Sequence, residues 1–589
     1  MPNMRVLDAG SMWGGLTLPV AQYAKEVFAL DKTVETLSFL DIRARQMGYE
    51  NIYPIASTLD KLPFKDGYFD LVILNGVLEW VAFRQNLILE KQWNAKSKAI
   101  KKYEQSPEQM QINVLKELRR VTKPEGYLFL AIENRVGYQY LTGYPDDHVN
   151  IKFVTFLPRF LADIITKIKR GFSYRTYVYS SIGYKNILQK SGYKKLKFYG
   201  AFAHYIAPYA VIPFNLIKNF KGLIGSGGGK RLKLFLKALP RFLMKYLSPS
   251  FVIIAGKSDK EFADAKIISL VKKAGVVKEV SEIEPILISR RAGSRIPLNC
   301  LIFDTSRRSP VAFCKISRSR RHAEIINDEA DNLKYAGELF KGTVIAERIP
   351  RLLYSGVIDN VTLLVTNYLD CEVFNFKNIK GSRKSADILK ALKKAIDFLV
   401  DFQKLSLVRE IDVSDYFLPK IKKQKEILLP KLDDSTDKKI DELSDVIAKL
   451  KGVKLNLSAV HGDFDFYHNI LHKNGEVYVV DFEHFEKEGI PFLDLAMLIL
   501  HPFVISFKET SKSVNFRDFL KVSRAEDLFR ECLGYYFNKS NIDKRLFDCA
   551  LRIAVLEQNT KEYPGYRDKK SFPLCDVEIL KELFRSDYI

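Results

Sequence analysis

The first 135 residues alternate strand and helix patterns, and this alternation limits the possible folds more than any other feature of the chain. Apolar runs typical of buried strands occur at residues 6–10 (VLDAG), 27–31 (VFALD), 69–76 (FDLVILNG) and 127–135 (YLFLAIENR). Strands that alternate with helices assemble into a parallel sheet with helices on both faces. The first half therefore predicts a doubly wound α/β domain.

Acidic and glycine residues follow two of these strands. Asp8 and the glycines at positions 10, 14 and 15 lie at the end of the first strand, and Asp31 ends the second. Ligands of open parallel sheets bind beyond the carboxyl ends of the strands, where glycines let the backbone approach a cofactor and an acid bonds ribose hydroxyls. The pattern predicts a nucleotide-type cofactor, and by itself it suits a nicotinamide enzyme equally well.

A longer series of motifs narrows the class of enzyme. The strings VLDAGSMWGGLTLPVA, FALD, LPFKDGYFDLVILNGVLEWV and RRVTKPEGYLFLAIENR follow one another within residues 6–135. This series resembles class I S-adenosylmethionine (SAM)-dependent methyltransferases, which have a doubly wound, Rossmann-like sheet. The string ENRVGYQYLTGYPDDH at residues 133–148 resembles methyltransferases found with bacterial surface-polysaccharide assembly. The resemblance extends over residues 4–257.

The resemblance implies SAM as the cofactor and a set of residues that bind it. The implied contacts are Asp8, Gly10 and Gly14 around the methionine part, Asp31 at the ribose, residues 58–60 with Asp60 at the adenine edge, and Asn75 at the end of the strand at residues 69–76. The chain departs from the family at Met12, where glycine is usual. It departs again at Thr58, which stands near where an acid often contacts adenine.

Methyl transfer to a hydroxyl needs alignment of the acceptor with the sulfonium and a base that takes the hydroxyl proton. His148 and Glu133 lie in the polar segment that follows the fourth strand, and both are candidate bases. Either residue could equally serve a structural role by bonding a loop carbonyl. A phosphate acceptor would need no base.

The positive charge of the chain is concentrated in one stretch. The formal net charge is +23, and the residues from Ile164 to Ser258 include 18 lysines and arginines but no aspartate or glutamate. Such a stretch attracts nucleic acid, anionic lipid headgroups or phosphate-bearing substrates, although it can also be a solvated face. Residues 230–247 alternate basic and apolar side chains at helical spacing. We therefore expect this helix to pack on its own domain, with peripheral membrane contact through residues 164–258 as the alternative.

Three further features bear on the location of the protein. The six cysteines all lie in the second half and none forms a CxxC pair, which argues against a disulfide framework or a metal knot. Met1 is followed almost at once by a predicted strand, so we expect no secretory signal. Residues 198–217 are uncharged, but their prolines and histidine favour two strands and a loop over a spanning helix. We expect a cytoplasmic protein, or one at the inner face of the membrane.

The composition changes after residue 257. Residues 258–280 are charged and helical in pattern, and we predict that they link a first domain (1–257) to a second domain (281–589). The second domain is predicted to divide into an N-lobe (281–370) and a C-lobe (371–589).

The most informative part of the second half is the string SAVHGDFDFYHNILHKNGEVYVVDFEH, followed by PFLDLA. Phosphoryl transfer from ATP needs an acid that orients the attacking hydroxyl and oxygen ligands for magnesium. Asp463 lies in a predicted loop, Asn469 starts an apolar strand and Asp481 ends the next strand. The Asn-Gly turn between these strands favours a hairpin, which would direct Asn469 and Asp481 to a shared Mg²⁺.

This segment resembles the aminoglycoside phosphotransferase and choline kinase group. The resemblance implies an α+β bilobal protein-kinase-like domain with ATP–Mg²⁺ as the donor. Its implied residues are Asp463 as the catalytic acid, Lys315 at the nucleotide phosphates, Glu329 as the partner of Lys315, and Asp494 as a brace of the catalytic loop. The family places the asparagine five residues after the aspartate, whereas Asn469 comes six residues after Asp463. Either the loop bulges by one residue or Asp465 takes the role of base. The candidate glycine-rich loop is RRAGSR at residues 290–295.

Together the two halves predict a bifunctional transferase that methylates and phosphorylates an acceptor. The expected acceptor is a small molecule or a sugar of a surface glycan or of its lipid-linked precursor. One alternative is an RNA methyltransferase, which the basic stretch would suit, although no RNA-binding module is recognisable and we expect no nucleic-acid partner. Another is a methyltransferase joined to a non-catalytic kinase-like scaffold. The sequence does not indicate an oligomeric state.

Overall fold

The computed structural model describes two compact units. The described residues are 3–83, 105–217, 240–260, 262, 266–277, 282–288, 297–374, 382–428, 430, 434–466, 469–499, 525–540, 542, 546, 549, 552–553 and 556. The first unit comprises Met1–Ser269, Glu282–Gly293 and Cys300–Arg307, and the second comprises Leu270–Ser281, Ser294–Asn299 and Arg308–Ile589. The predicted domain boundaries stay a prediction.

The first unit is built from a large sheet and short helices. Its strands are β1 (Arg5–Ala9), β2 (Glu26–Asp31), β3 (Ile52–Ala56), β4 (Phe69–Asn75), β5 (Thr122–Glu133), β6 (Lys195–Phe202), β7 (Ala210–Pro213), β8 (Ser250–Gly256), β9 (Ile283–Ile288) and most of β10 (Leu298–Asp304). Its α-helices are α1 (Thr17–Ala21), α2 (Val34–Gln46), α3 (Pro107–Val121), α4 (Tyr138–Leu141), α5 (Arg159–Arg170) and α6 (Ser181–Lys190). Single 3₁₀ turns occur at Leu78–Trp80, Val154–Phe156 and Arg241–Leu243. The helix α7 (Lys266–Lys273) falls within the predicted linker.

The order of the strands of this unit within the sheet is β10-β9-β7-β6-β8-β5-β4-β1-β2-β3. The strands β1 to β5 pair in parallel, and β8 is antiparallel to both β5 and β6. The chain runs outward from β1 to β3 and then returns to place β4 on the other side of β1. Ligands of doubly wound sheets bind beyond the strand ends at such a reversal. The predicted doubly wound, Rossmann-like sheet is confirmed for this unit.

Buried side chains on both faces explain why these segments form central strands. Alternate residues of a strand point to opposite faces. Accordingly Val6 packs on one face of β1, whereas Leu7 and Ala9 join the larger core on the other face. The amphipathic helix α3 covers that larger core, and the Ser106 hydroxyl accepts a hydrogen bond from the Gln109 N–H at its start.

The uncharged residues 198–217 form strands, as predicted. Most of β6 and all of β7 lie in this segment and pair with each other in antiparallel register. Within the part of the chain that the structure describes, no helix has the length and apolar character needed to cross a membrane.

The second unit combines small antiparallel sheets with longer helices. Its strands are β11 (Ser309–Ile316), β12 (Leu352–Ile358), β13 (Val361–Asn367), β14 (Glu372–Val373), β15 (Leu407–Asp412), β16 (Lys454–Val460), β17 (Ile470–Lys473), β18 (Glu476–Val479) and β19 (Glu486–Gly489). Its helices are α8 (Arg320–Leu339), α9 (Ser382–Leu405), α10 (Val413–Leu428), α11 (Asp434–Ala448) and α12 (Ala525–Ser540), with a 3₁₀ turn at Phe482–His484. Residues 492–499 are also helical.

The strand pairings of this unit are local. The strand β13 lies between β11 and β12, and the remaining strands form two sheets of three, β14-β17-β18 and β15-β16-β19. The long helix α9 contributes Phe398 and Phe402 to a continuous core that also includes Phe340. The predicted hairpin forms between β17 and β18, and Asn474 and Gly475 at its turn both have positive φ angles, +52° and +82°. Positive φ at both central residues is the geometry that an Asn-Gly hairpin turn requires. The kinase-like class of this unit stays a prediction.

The glycine turn after β1 supplies a test of the first unit. Gly10 has φ +88°, and a Cβ added there would lie 2.4 Å from Val77 Cγ2, whereas a Cβ at Gly15 would meet nothing within 4 Å. We expect Gly10→Ala to lower the free energy of unfolding by about 1–2 kcal/mol or more, because alanine is strained at positive φ. Gly15→Ala is the matched control and should be neutral or slightly stabilising. Urea denaturation of both variants measures the difference, and equal stabilities would contradict the described geometry.

Candidate functional site

The loop after β1 is attached to the end of β2 through Asp31. The Asp31 Oδ2 atom accepts a hydrogen bond of 3.0 Å from the Met12 N–H, and Oδ1 accepts one of 2.9 Å from the Thr33 N–H. The Gly10 N–H donates to the Leu30 carbonyl at 2.7 Å. Because each carboxylate oxygen has two acceptor positions, Asp31 can hold the loop and still accept bonds from ribose hydroxyls.

Met12 adopts the conformation for which glycine is usual. Its φ angle is +44°, in the left-handed region, and its side chain is 48% exposed. The left-handed conformation costs a non-glycine residue about 1–2 kcal/mol. The loop therefore keeps its course despite the departure at this position, and the Met12 side chain is largely in solvent.

Asp8 lies beneath this loop in a buried position. Its Oδ2 atom accepts a hydrogen bond of 2.6 Å from the Thr17 hydroxyl, which fixes the carboxyl against the start of α1. Burial raises the pKa of the Asp8 carboxyl to about 6, although the Thr17 bond opposes this shift. A buried acid at this position can pair with a cationic group of a bound cofactor.

The other predicted cofactor residues are distributed along the same edge. Asn75 is the last residue of β4, opposite Ala131 of β5. Thr58 and Asp60 follow β3 and are exposed. The structure thus places Asp8, Asp31 and Asn75 at or near the carboxyl ends of β1, β2 and β4, with Asp60 in the loop after the edge strand.

The two candidate bases belong to a buried polar cluster. Glu133 ends β5, and its Oε1 atom accepts a hydrogen bond of 3.2 Å from the Tyr205 hydroxyl and lies 3.6 Å from His204 Nε2. The His148 ring is almost fully buried, with Nε2 3.9 Å from Glu79 Oε1 and Nδ1 3.6 Å from Asp146 Oδ1. His148 therefore lies among carboxylates, in surroundings that favour its protonated form.

The ionisation of this cluster follows from burial and proximity. Burial, with the nearby charge of Glu133, raises the pKa of the Glu79 carboxyl to about 7. Burial alone would lower the pKa of His148, but Asp146, Glu79 and Glu133 outweigh it and raise that pKa well above its usual value. Burial also opposes ionisation of Glu133, but His204 and His148 lower its pKa below the usual value.

Glu79 and Asp146 were not among the site residues predicted from the sequence. The signal for Glu79 was an acid between Leu78 and Trp80, in a segment that otherwise continues the apolar run of β4. The turn that carries it is held by Gln111, whose Nε2 atom donates to the Leu78 carbonyl at 2.9 Å. Sequence spacing cannot show this contact, because Gln111 is 33 residues away.

A second polar group lies in the second unit. Lys315 Nζ of β11 lies 2.6 Å from Glu329 Oε2 of α8 and 2.6 Å from Asp481 Oδ1. Burial favours the neutral form of Lys315, but the two carboxylates outweigh it and raise the pKa of the amine. Burial raises the pKa of Glu329 to about 7, although the Lys315 charge opposes this shift. Oxygen atoms of Glu329, Asp481 and Glu483 converge closely enough to hold a metal ion, and sequence analysis had not included Glu483.

Asn469 is hydrogen-bonded to the start of the loop, at Asp463. Asn469 Nδ2 donates to Asp463 Oδ2 at 2.7 Å and to the Asp463 carbonyl at 2.9 Å. The Asp465 carbonyl accepts hydrogen bonds from the Asn469 and Ile470 N–H groups. The one-residue bulge and the alternative of Asp465 as the base both stay predictions. Asn469 Oδ1 is buried and has no hydrogen-bond partner among the residues described, so it is available to a metal ion. His468 lies outside the described residues.

Asp494 is hydrogen-bonded to the backbone just before this loop. Its two carboxylate oxygens accept hydrogen bonds from the His461 N–H at 2.7 Å and the Gly462 N–H at 2.9 Å. This is the bracing role that the sequence predicted. The candidate glycine-rich loop at residues 290–295 lies outside the described residues.

Part of the basic stretch is exposed in the first unit. The helix α5 carries three basic residues in its last turn and exposes four apolar side chains, namely Phe160, Leu161, Ile164 and Ile168. Exposed apolar and basic side chains on one helix are compatible with the alternative of peripheral membrane contact. Most of the basic amphipathic segment at residues 230–247 lies outside the described residues, and the described part contains the 3₁₀ turn Arg241–Leu243.

Comparison with known proteins bears on the first unit. Residues 1–151 match the family model described as "Methyltransferase domain". A SAM-dependent methyltransferase from Aquifex aeolicus is 18% identical, with 33% of this chain and 73% of that chain covered and a TM-score of 0.21. A SAM-dependent methyltransferase from Methanosarcina mazei is 16% identical, with 44% of this chain and 93% of that chain covered and a TM-score of 0.26. No curated protein matches the chain. Residues 1–151 are therefore similar to a methyltransferase domain, as the sequence predicted for this region.

Proposed function

We propose that the chain is a bifunctional transferase that uses SAM in its first unit and ATP–Mg²⁺ in its second. The match of residues 1–151 to a methyltransferase domain supports the first activity. The position of Lys315 between Glu329 and Asp481 supports the second. Both units would transfer their groups to oxygen atoms of an acceptor.

The first unit has side chains that suit SAM. Asp31 has acceptor positions for the ribose hydroxyls, and the buried Asp8 carboxyl suits the ammonium of the methionine part. SAM supplies an electrophilic methyl group on a sulfonium. The chain aligns the acceptor with this group, and alignment accounts for most of what the protein must do in such a reaction.

The second unit has side chains that suit ATP–Mg²⁺. The Lys315 amine would contact the nucleotide phosphates, and Glu329 keeps it charged and in place. Asn469 Oδ1 and Asp481 offer oxygen atoms to Mg²⁺, which neutralises the phosphate charge. Asp463 would orient the acceptor hydroxyl and accept its proton. Burial and the nearby Asp465 raise the pKa of Asp463, which suits an acid that must bind a proton during the reaction.

The proposed acceptor is a sugar hydroxyl on a surface glycan or its lipid-linked precursor. This proposal depends on the resemblance of residues 133–148 to methyltransferases of surface-polysaccharide assembly. Phosphorylation of a terminal hydroxyl and methylation of the product would stop chain growth. The lysines and arginines of residues 164–258 would attract a phosphorylated acceptor or an anionic membrane. We propose accordingly that the protein acts in the cytoplasm or at the inner face of the membrane.

The pKa of Asp8 predicts how the stability of the first unit depends on pH. Because this pKa is raised from 3.8 to about 6 in the folded state, the folded state binds the proton more tightly than the unfolded state. The free energy of unfolding should therefore decrease as the pH rises from about 4 to about 6 and stay lower above that range. Asp8→Asn removes this decrease. We expect its stabilising effect in thermal unfolding to be larger near pH 8 than near pH 4, and an equal effect at both would contradict the assignment.

Asp31 tests the SAM site. Asp31→Ala removes the acceptor of the Met12 N–H and the expected ribose contacts, so we expect the Kd for SAM to rise at least about tenfold, as for loss of charged hydrogen bonds. The matched control is Asp41→Ala, which removes an acid of α2 that pairs with Arg45. Isothermal titration calorimetry measures the Kd for SAM of both variants, and the Kd for ATP–Mg²⁺ shows whether the second unit is unaffected. Unchanged SAM binding by Asp31→Ala would disprove this placement of the cofactor.

Substitutions at Asp463 and Asp481 distinguish nucleotide binding from phosphoryl transfer. We expect Asp481→Asn to abolish ATP–Mg²⁺ binding. Asp463→Asn should keep this binding but lower the transfer of labelled phosphate to oligosaccharide acceptors by about 10²-fold or more. Asp370→Asn is the control, because Asp370 is an exposed partner of Lys473. Failure of the native protein to bind ATP–Mg²⁺ would favour a scaffold role for the second unit.

Methyl transfer to purified RNA that persists at high salt would favour RNA over a sugar as the acceptor of the first unit.

A further inference from the structure

Three potential ligands converge beyond the ends of β4 and β5 in the first unit. Glu79 lies in the turn after β4, Glu133 is the last residue of β5, and His148 lies in the loop that follows α4. One ligand atom from each side chain lies within 4.8 Å of the other two. Atoms bonded to one metal ion at about 2.0–2.2 Å lie at most about 4.4 Å apart, so small side-chain shifts would bring these three atoms to bonding distance.

Three of the four carboxylate oxygens of Glu79 and Glu133 have no hydrogen-bond partner among the residues described. Glu79, Glu133 and His148 are 0%, 3% and 4% exposed. Among the residues described, both oxygens of Glu79 and the Oε2 atom of Glu133 have no hydrogen-bond partner. A buried, unsatisfied carboxylate oxygen is costly, and a cation between these oxygens would remove that cost.

Negative charge also predominates around the three side chains. The buried Asp146 and the exposed Asp147 belong to the same neighbourhood, so three buried carboxylates and one exposed carboxylate lie near the imidazoles of His148 and His204. Buried charges that are not balanced are strongly destabilising. A divalent cation would bring the group closer to neutrality.

A carboxylate lies near each ring nitrogen of His148. Asp146 Oδ1 lies 3.6 Å from Nδ1, and Nε2 is the ring nitrogen that faces Glu79. Asp146 is itself fixed by hydrogen bonds from the His148 N–H at 2.9 Å and the Val149 N–H at 2.8 Å. His148 Nδ1 has no hydrogen-bond partner among the residues described, so Asp146 acts on the imidazole as a nearby negative charge and not through a hydrogen bond.

We propose that Glu79, Glu133 and His148 bind one divalent metal ion in the first unit. Two carboxylates and one imidazole suit Mn²⁺, Fe²⁺, Co²⁺ or Zn²⁺ better than Mg²⁺ or Ca²⁺, which prefer oxygen ligands alone.

The position of this site suggests a role for the metal ion in methyl transfer, and this role rests on the proposed function. The Tyr205 hydroxyl donates to Glu133 and occupies the space that a Cβ on Gly76 would fill, directly after β4. The metal site therefore adjoins the strand ends where the cofactor is proposed to bind. A metal ion there would hold an acceptor hydroxyl and lower its pKa. Metal binding itself does not require this activity.

The test is metal binding by untagged protein that has been treated with a chelator. The parent is Asp481→Asn, so that the acidic group of the second unit does not contribute a second site. We expect the parent to bind one Co²⁺ per chain, with visible absorption bands that report a nitrogen ligand. Glu79→Gln and His148→Gln in this background should each weaken Co²⁺ binding at least about tenfold.

His204→Gln is the matched control. His204 contacts the same Glu133 carboxylate but lies outside the proposed ligand set, so its loss should leave Co²⁺ affinity close to that of the parent. Co²⁺ should raise the unfolding temperature of the parent and of His204→Gln, but not that of Glu79→Gln. Without metal, Glu79→Gln should unfold at the same or a higher temperature than the parent, because it removes a buried charge. This measurement shows that the variant is folded.

Two results would overturn the proposal. One is a parent protein that binds no Co²⁺, Mn²⁺ or Zn²⁺. The other is a site that His204→Gln removes while Glu79→Gln and His148→Gln retain it, since that result would assign the metal to Glu133, Asp147 and His204. Because binding is measured directly, a protein that lacks methyl transfer but binds metal would disprove only the proposed function.

Discussion

The reversal of strand order between β1 and β4 determines where the first unit can bind anything. At this point neighbouring connections leave the sheet in opposite directions, so the carboxyl ends of the two strands border an open crevice. Gly10 follows β1 and Asn75 ends β4. Asp31 ends the neighbouring strand β2 and accepts a hydrogen bond from the Met12 N–H of the loop after β1. The cluster of Glu79, Glu133 and His148, here called the acidic cluster, adjoins the same edge because β5 pairs with β4 and ends in Glu133. Both proposed sites of the first unit depend on this one topological feature.

The second unit depends on a different constraint, the burial of a lysine. Lys315 is buried, and an isolated ammonium in such a position would be deprotonated. Glu329 and Asp481 reverse this tendency because they approach it from separate elements, α8 and the end of the hairpin. Loss of either acid would leave Lys315 with a single carboxylate to offset its burial. The arrangement is therefore cooperative, and it fixes α8, β11 and the turn after β18 together.

The sequence predicted those parts of the structure that have a local cause. The apolar runs of β1, β2 and β4 identify buried strands, and Asn474 with Gly475 specifies a hairpin turn because both residues tolerate positive φ. The sites at the strand ends follow from topology once the strands are known. The acidic cluster could not be predicted in this way. Glu79 and His148 are 69 residues apart, and nothing in either local pattern indicates that the two side chains are buried together.

The attachment of the loop to Asp31 has a consequence for the evolution of this chain. Asp31 binds the loop through the backbone N–H of residue 12, and a backbone group is the same for every amino acid except proline. Selection for the course of the loop therefore acts on Asp31 and leaves the side chain at position 12 comparatively free to change. The replacement of glycine by methionine then carries only the modest cost of a left-handed residue. Position 12 is thus a place where related chains can diverge in the ligands that they admit while the cofactor loop stays the same.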